Sequence, residues 1–207
     1  MEFLARRACG RDSELMPRNR TFRPATVDDA GLLAELINYA GEGLPLYLWG
    51  EMAEPGEAAW DVGRRRAARE EGSFSYRNAT IIEHDGQCAG CLVGYEIPDN
   101  PGPIPDDMPA MFVPLQELEN LAPGTWYINV LAVRPHFRRQ GLLGTRLLAV
   151  AEETAQGLGK RGMSVIVSDA NVGAHRLYNE QARRLMVKHN WQNEGRSWVL
   201  LMKNCEP

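Results

Sequence analysis

The sequence predicts an α/β fold in which strands and helices alternate around a mixed sheet. Three observations carry that prediction. Short apolar runs of strand length, foremost Trp126–Val133 and Met163–Val167, alternate with segments whose apolar residues recur at helical spacing. Residues 78–95 carry a β-hairpin signature, two strand-like runs around His84-Asp85-Gly86. The length of 207 residues, with 44% hydrophobic and 24% charged, suits one globular domain that buries roughly 70% of its unfolded surface.

Taken in order, residues 1–19 lack periodicity and are expected to form an N-terminal tail. No apolar run follows Arg6-Arg7, so a secretory signal is not expected. Thr21–Ala25 reads as a first strand, and Thr26 as an N-cap with Asp28 and Asp29 in the first turn. Leu32, Leu33, Leu36 and Ile37 then keep helical spacing up to Gly41. Leu44–Trp49 is an apolar run interrupted by Pro45, read as a core segment or pocket wall, and Glu57–Glu71 as a second helix with solvated Arg64, Arg65, Arg66 and Arg69. After the hairpin, six prolines between 98 and 114 exclude regular helix or central strand there. Gln116–Leu121 reads as a short helix, Trp126–Val133 as the central strand, and Gly141 as the start of a helix with Leu143, Leu147, Ala151, Thr154 and Leu158 on one face. Met163–Val167 is a buried strand, Val172–Lys188 a helix and Ser197–Met202 a final strand, after a turn at 193–195.

Charge is unevenly placed. The net charge is −4, yet residues 78–133 hold eight acids and no Lys or Arg, while 134–146 hold four arginines and no acid. That pattern excludes a uniformly basic nucleic-acid binder and suits a protein that handles one anionic and one cationic small molecule. No apolar run approaches the ~20 residues of a membrane helix. Cys88 and Cys91 have redox spacing but fall inside a strand, so they read as ordinary thiols, and Cys9 and Cys205 add no metal pattern. His84, His175 and His189 have no third partner at ligand spacing, so no metal is expected; His136 lies in the arginine loop.

The chemistry concentrates at residues 130–148, where a strand feeds an arginine- and glycine-bearing loop that opens onto a helix N-terminus. Free N–H groups and the helix dipole make such a place an anion site. Gly141 admits close approach of a phosphate, and Arg138 and Arg139 can add charge-assisted bonds. The residues after Gly144, Thr145-Arg146, exclude a Walker motif, and two glycines in a long loop do not make a dinucleotide fingerprint.

Arg138-Arg139-Gln140-Gly141-Leu142-Leu143 resembles the pyrophosphate motif of the GNAT superfamily of acyl-CoA-dependent N-acetyltransferases, with Gly144 one place beyond the last motif position. Asn171-x-x-Ala174-x-x-Leu177-Tyr178 resembles the family's later motif, without the Gly-Phe that usually follows; Asn190-Trp191 stands there instead. The resemblance spans about residues 20–203. It implies a GNAT-like, largely antiparallel mixed sheet flanked by helices, with residues 20–207 as a single N-acetyltransferase domain carrying insertions near 43–72 and 97–121.

It further implies acetyl-CoA as co-substrate, held by main-chain groups of Leu131, Ala132 and Val133, by Arg138, Arg139, Gln140, Gly141, Leu142, Leu143 and Gly144, and by Asn171. Tyr178 would protonate the departing thiolate, and an N–H near Leu131 would stabilise the oxyanion. The strand glutamate of some members would fall at Tyr127, so that carboxylate is absent here; Glu117, Glu119 or a water chain stand as substitutes. The expected function is acetyl transfer to a primary amine, a small molecule, by direct attack in a ternary complex. A CoA-binding sensor without turnover and a protein lysine or N-terminal acetyltransferase are the alternatives. The acidic stretch favours an amine acceptor, with neither nucleic acid nor membrane as partner and a homodimer left open. Scarce cysteine suggests a cytoplasmic setting.

Overall fold

The structure is a computed structural model that describes residues 19–108, 110, 112–139, 142–181, 190–193 and 196–205, with 179–181, 190–193 and 196–197 followed by their backbone alone. The expected tail therefore lies outside the described residues, apart from Asn19, as do Cys9, Gln140, Gly141 and His189.

Seven strands form one sheet: β1 (Arg20–Pro24), β2 (Ala79–His84), β3 (Gln87–Glu96), β4 (Thr125–Val133), β5 (Gly162–Ser168), β6 (Asn190–Asn193) and β7 (Arg196–Asn204), in the spatial order β1-β2-β3-β4-β5-β7-β6. Every neighbouring pair is antiparallel except β4 with β5, which is parallel. The expected mixed, largely antiparallel sheet is thus found. The β2–β3 turn is Asp85-Gly86 with φ of 51° and 75°, the left-handed pair that a tight hairpin requires.

Among the described residues six helices flank the sheet: α1 (Ala30–Ala40), α2 (Leu44–Glu51), α3 (Ala59–Ala67), α4 (Val113–Asn120), α5 (Leu143–Gly157) and α6 (Val172–Gln181). On one face α5 and α6 bury Leu143, Leu147, Ala151 and Tyr178 against Ile128, Val165, Val199 and Leu201. On the other face α1 and α3 cover Ile81, Val93, Val130 and Ala132, while α4 sets Leu118 on Leu200. Each fully buried Leu or Ile there contributes about 1.5–3 kcal/mol. No described helix is long and apolar enough to cross a membrane.

Several sequence expectations are corrected. Leu44–Trp49, read as a core segment or pocket wall, is the helix α2 and places Trp49 in the core; Pro45 sits in its first turn, where the missing N–H costs nothing. Pro114 does the same at the start of α4, so that helix begins at Val113 rather than Gln116. The second helix is shorter than expected and ends at Ala67. Thr26 first caps a 3-10 turn, Val27–Asp29, and α1 follows. The helix expected to run to Lys188 is described only to Gln181, and β6 was not foreseen. Leu158, expected on the apolar face of α5, is 50% exposed beyond the helix end. Cys91 is buried and Cys88 half-buried on β3, where burial raises both thiols above their ordinary range.

Candidate active site

The site begins where the parallel pair comes apart. β4 and β5 pair from Thr125–Gly162 to Ile128–Val165 and no further, although β4 continues to Val133 and β5 to Ser168. The cause lies on the other side of β4. Val93 pairs with Val130 and Gly94 with Ile128, so Asn129 is an extra residue, and such a bulge bends its strand. The Asn129 side-chain amide fixes the bend by donating to the Ser73 carbonyl at 3.3 Å. Beyond Ile128 the strand has β3 on one side only, so every second main-chain amide points into the opening. Asn129, Leu131, Ile166, Ser168, Asn171 and Tyr178 line this cleft, with Ala40 and Glu42 from the end of α1.

Below the cleft the sheet is locked by a buried hydroxyl pair. Thr125 Oγ1 donates to the Ala122 carbonyl at 2.7 Å, which uses its one proton. Ser164 Oγ, 2.7 Å away, must then donate to Thr125.

The arginine loop rises beside the cleft. Arg139 and Leu142 both have φ of 59°, a left-handed pair that turns the chain into α5. The first N–H to bond back in that helix is Arg146, onto the Leu142 carbonyl at 3.0 Å. The amides of Leu143, Gly144 and Thr145 therefore lie ahead of the intrahelical ladder, as a helix start demands. Leu143, at the last motif position, is a core residue with 3% exposure. Gly144 packs on α6: a Cβ there would lie 3.3 Å from Leu177 Cδ2.

The four arginines do not act alike. Arg134 pairs with Glu35 of α1 at 3.1 Å. The Arg138 Nε donates to the Val133 carbonyl at 3.2 Å, and its guanidinium lies 5.0 Å from the Tyr39 ring centre. Arg139 and Arg146 are exposed.

On α6, Tyr178 is buried with 7% exposure, and burial alone holds its hydroxyl protonated well above the ordinary tyrosine range. It reaches the cleft wall from the α5 side of the sheet. Asn171 uses its side-chain oxygen to accept the Ala174 N–H at 3.0 Å, leaving its amide hydrogens for other partners. His175 Nε2 lies 3.6 Å from Asp169 Oδ1, and among the described residues no group of three or more His, Cys, Asp or Glu could hold a metal. Leu131 and Val133 pack toward the α5 core, whereas Ala132 faces α1 and can offer a ligand only its main chain.

Sequence reasoning missed one cluster at the last rungs before β4 and β5 part. Tyr95 and Tyr127 are cross-strand partners with ring centres 5.3 Å apart. Tyr95 donates to Glu119 Oε2 at 2.9 Å, from β3 to α4. Gln116 reaches the other oxygen at 3.5 Å. Burial raises the proton affinity of Glu119, against the stabilising pull of Tyr95 and Gln116. Glu117, the other acid named from this helix, is exposed. Glu42, which borders the cleft with φ of 54°, was also not foreseen; a non-glycine left-handed residue after the Gly41 stop was its only signal.

Comparison with known proteins agrees with this geometry. Residues 46–182 match the acetyltransferase (GNAT) family model. A crystal structure described as an acetyltransferase is 24% identical, with a TM-score of 0.62, over 90% of this chain and 100% of that one. An N-acetyltransferase from Staphylococcus aureus Mu50 is 16% identical, with a TM-score of 0.60, over 88% of this chain and 99% of that one. N-acetylglutamate synthase from Neisseria gonorrhoeae, complexed with coenzyme A and N-acetyl-glutamate, is 16% identical with a TM-score of 0.54; the match covers 93% of this chain and 36% of that one. No curated protein matches the sequence. The parted strands, the helix start beside them and the family match across most of the chain lead to one conclusion: this chain belongs to the GNAT acetyltransferase family.

Proposed function

We propose that the protein transfers the acetyl group of acetyl-CoA to a primary amine of a small molecule, by direct attack with both substrates bound. The observation that carries this is the cleft between β4 and β5, with Tyr178 in its wall. A thioester arm laid along β4 would take the place of the missing strand partner and bond to main-chain groups of Leu131, Ala132 and Val133. The pyrophosphate would meet the amides of Leu142, Leu143 and Gly144 with Gln140 and Gly141, where the helix dipole favours an anion. Arg138 and Arg139 would add charge. Asn171 would hold the arm through its free amide hydrogens.

Attack forms a bond from amine nitrogen to acetyl carbon and breaks the bond to sulfur. A β4 amide near Leu131 would stabilise the oxygen as charge develops on it. The Tyr178 proton suits the departing thiolate because burial keeps the phenol neutral. An amine acceptor is supported by the acidic run 78–133, which supplies Glu119, the partner of Tyr95. A small acceptor is supported by α2 and the 97–121 segment, which thicken the α1 side of the domain formed by residues 20–207. Free Cys88, Cys91 and Cys205 suit a reducing, cytoplasmic setting.

The test is release of free thiol from acetyl-CoA across a panel of primary amines, carboxylates and lysine peptides. Turnover with small amines supports the reading. Turnover with peptides alone, or acetyl-CoA binding with no turnover on any acceptor, rejects it.

A further inference from the structure

Acetylation of an amine releases a proton, and this chain must place it somewhere. The described carboxylates divide into two groups. Those with substantial burial are held by cations: Asp29 and Glu83 by Arg23, Glu57 by Arg65, Glu152 by Lys203. Nearly all the others are exposed to solvent. Glu119 fits neither group. It is mostly covered, it reaches through Tyr95 and Tyr127 the last rungs before β4 and β5 part, and among the described residues its partners are a phenol and an amide rather than a lysine or arginine. A carboxylate kept covered without a cation is poised to take up a proton.

Its surroundings form a path. Asn129, in the cleft wall, bonds to the Ser73 main chain, and the Ser73 side chain lies near Tyr95. Tyr95 in turn donates to Glu119. Tyr127 packs against Tyr95 with the rings tilted and their centres 5.3 Å apart, and it interacts electrostatically with both Glu119 and Tyr178. Tyr178 belongs to the α5 side of the sheet, and Glu119 comes from α4 on the opposite side. The two proton-handling groups thus belong to opposite faces of the sheet.

We propose that Glu119 is the terminal proton acceptor of the acetyl transfer, taking the proton of the acceptor amine through the Tyr95 hydroxyl. This rests on the amine reading above. As the nitrogen–carbon bond forms, the amine proton passes to Tyr95 Oη while the proton of Tyr95 passes to Glu119 Oε2. As the carbon–sulfur bond breaks, the thiolate takes the Tyr178 proton. Glu119 then releases its proton to water and Tyr178 regains one, so amine and thioester give amide and thiol with nothing left over.

Among the described residues, the groups facing Glu119 are few. Tyr95 comes from β3, Tyr127 from β4, and Gln116 from its own helix. Against β5 and β7 the helix sets Leu118 and Ala122, which are apolar, and β6, also in contact with it, contains no titratable residue. The acidic limb of the rate profile therefore carries Glu119 together with deprotonation of the acceptor amine, and the amine contribution is common to wild type and variants. Tyr95 favours the charged carboxylate, so its loss must move that limb to higher pH.

The experiment measures kcat/KM against pH for the full chain with saturating acetyl-CoA and tyramine, spermidine or glycinamide as probe amine. Wild type should show a limb above the usual carboxylate range. Glu119→Gln keeps the shape and a bond to Tyr95, so it should fold, melt no lower and keep its acetyl-CoA Kd. Its kcat/KM should fall by a factor of order 10²–10⁴ near neutrality and climb with the fraction of free amine as pH rises. Tyr95→Phe should lower the rate and shift the limb upward, and Glu119→Asp should restore part of it. A Glu119→Gln enzyme with the wild-type profile and a rate within a few-fold of wild type overturns the proposal while leaving the amine reading intact. Absence of wild-type turnover with all three amines overturns both.

Discussion

Gly144 and Leu177 meet where α5 crosses α6, with room for a Cβ only 3.3 Å from the leucine methyl. The glycine that lies one place late in the phosphate motif is thus a packing residue, and it ties the two motifs together. Gly144→Ala should be close to neutral, the helical gain of roughly 0.5–1 kcal/mol offsetting the tight contact. Gly144→Val should push the helices apart, at a cost of about 1–3 kcal/mol, and weaken acetyl-CoA binding. Leu177→Ala in the same chain should recover part of the loss. A double-mutant cycle by urea unfolding, with acetyl-CoA titration, measures the coupling.

The hydroxyl pair below the cleft gives a second expectation. Thr125→Val strands both Ser164 Oγ and the Ala122 carbonyl in a buried setting, costing about 1–3 kcal/mol. Adding Ser164→Ala removes one stranded group and should recover roughly 1 kcal/mol. Equal stability of the single and double variants would show that the pair is not coupled.

Tyr178→Phe should lower kcat by a factor of order 10²–10⁴ while leaving the acetyl-CoA Kd unchanged. Its melting temperature should not fall, because among the described residues burial, rather than a hydrogen bond, holds that hydroxyl protonated. A parallel drop in kcat and in melting temperature would assign the residue to packing instead.

The entry to α1 predicts an acid transition. Arg23 binds Asp29 at 2.7 Å, and the Thr26 N–H donates to the same carboxylate at 2.8 Å. The Arg23 guanidinium, with the Thr26 N–H, lowers the Asp29 carboxyl from 3.8 to about 2. A depressed carboxyl stabilises the fold at pH values above its unfolded range and loses that contribution as pH falls toward the folded value. The loss should therefore fall between about pH 4 and pH 2, on the order of 1–2 kcal/mol because Arg23 is partly solvated. Asp29→Asn should flatten unfolding free energy across that interval and leave the slope at higher pH unaltered.

Much of this architecture could be read from residue order because local physics settled it. Asp85-Gly86 supplies the left-handed pair of the hairpin, and Gly41 ends α1. Proline misled where its position within the first turn mattered: Pro45 and Pro114 begin helices rather than break them. The bulge at Asn129 left no mark on an apolar run, since it depends on how β3 pairs with β4. Tyr178 and Asn171 were found only through a spacing shared with a known family. Glu119 was named but not distinguished from Glu117, because what separates them is Tyr95, 24 residues away and on another element.

The parting of β4 from β5 also bears on how the protein endures. Four rungs join a half of four strands to a half of three. A co-substrate seated in the gap, as proposed, would act as a suture between the halves, and its binding energy would also be folding energy. At a hundred times its Kd it would add about 2.7 kcal/mol to stability. Persistence of the enzyme in a cell would then follow the supply of acetyl-CoA, and thermal melting with and without it would display the dependence directly.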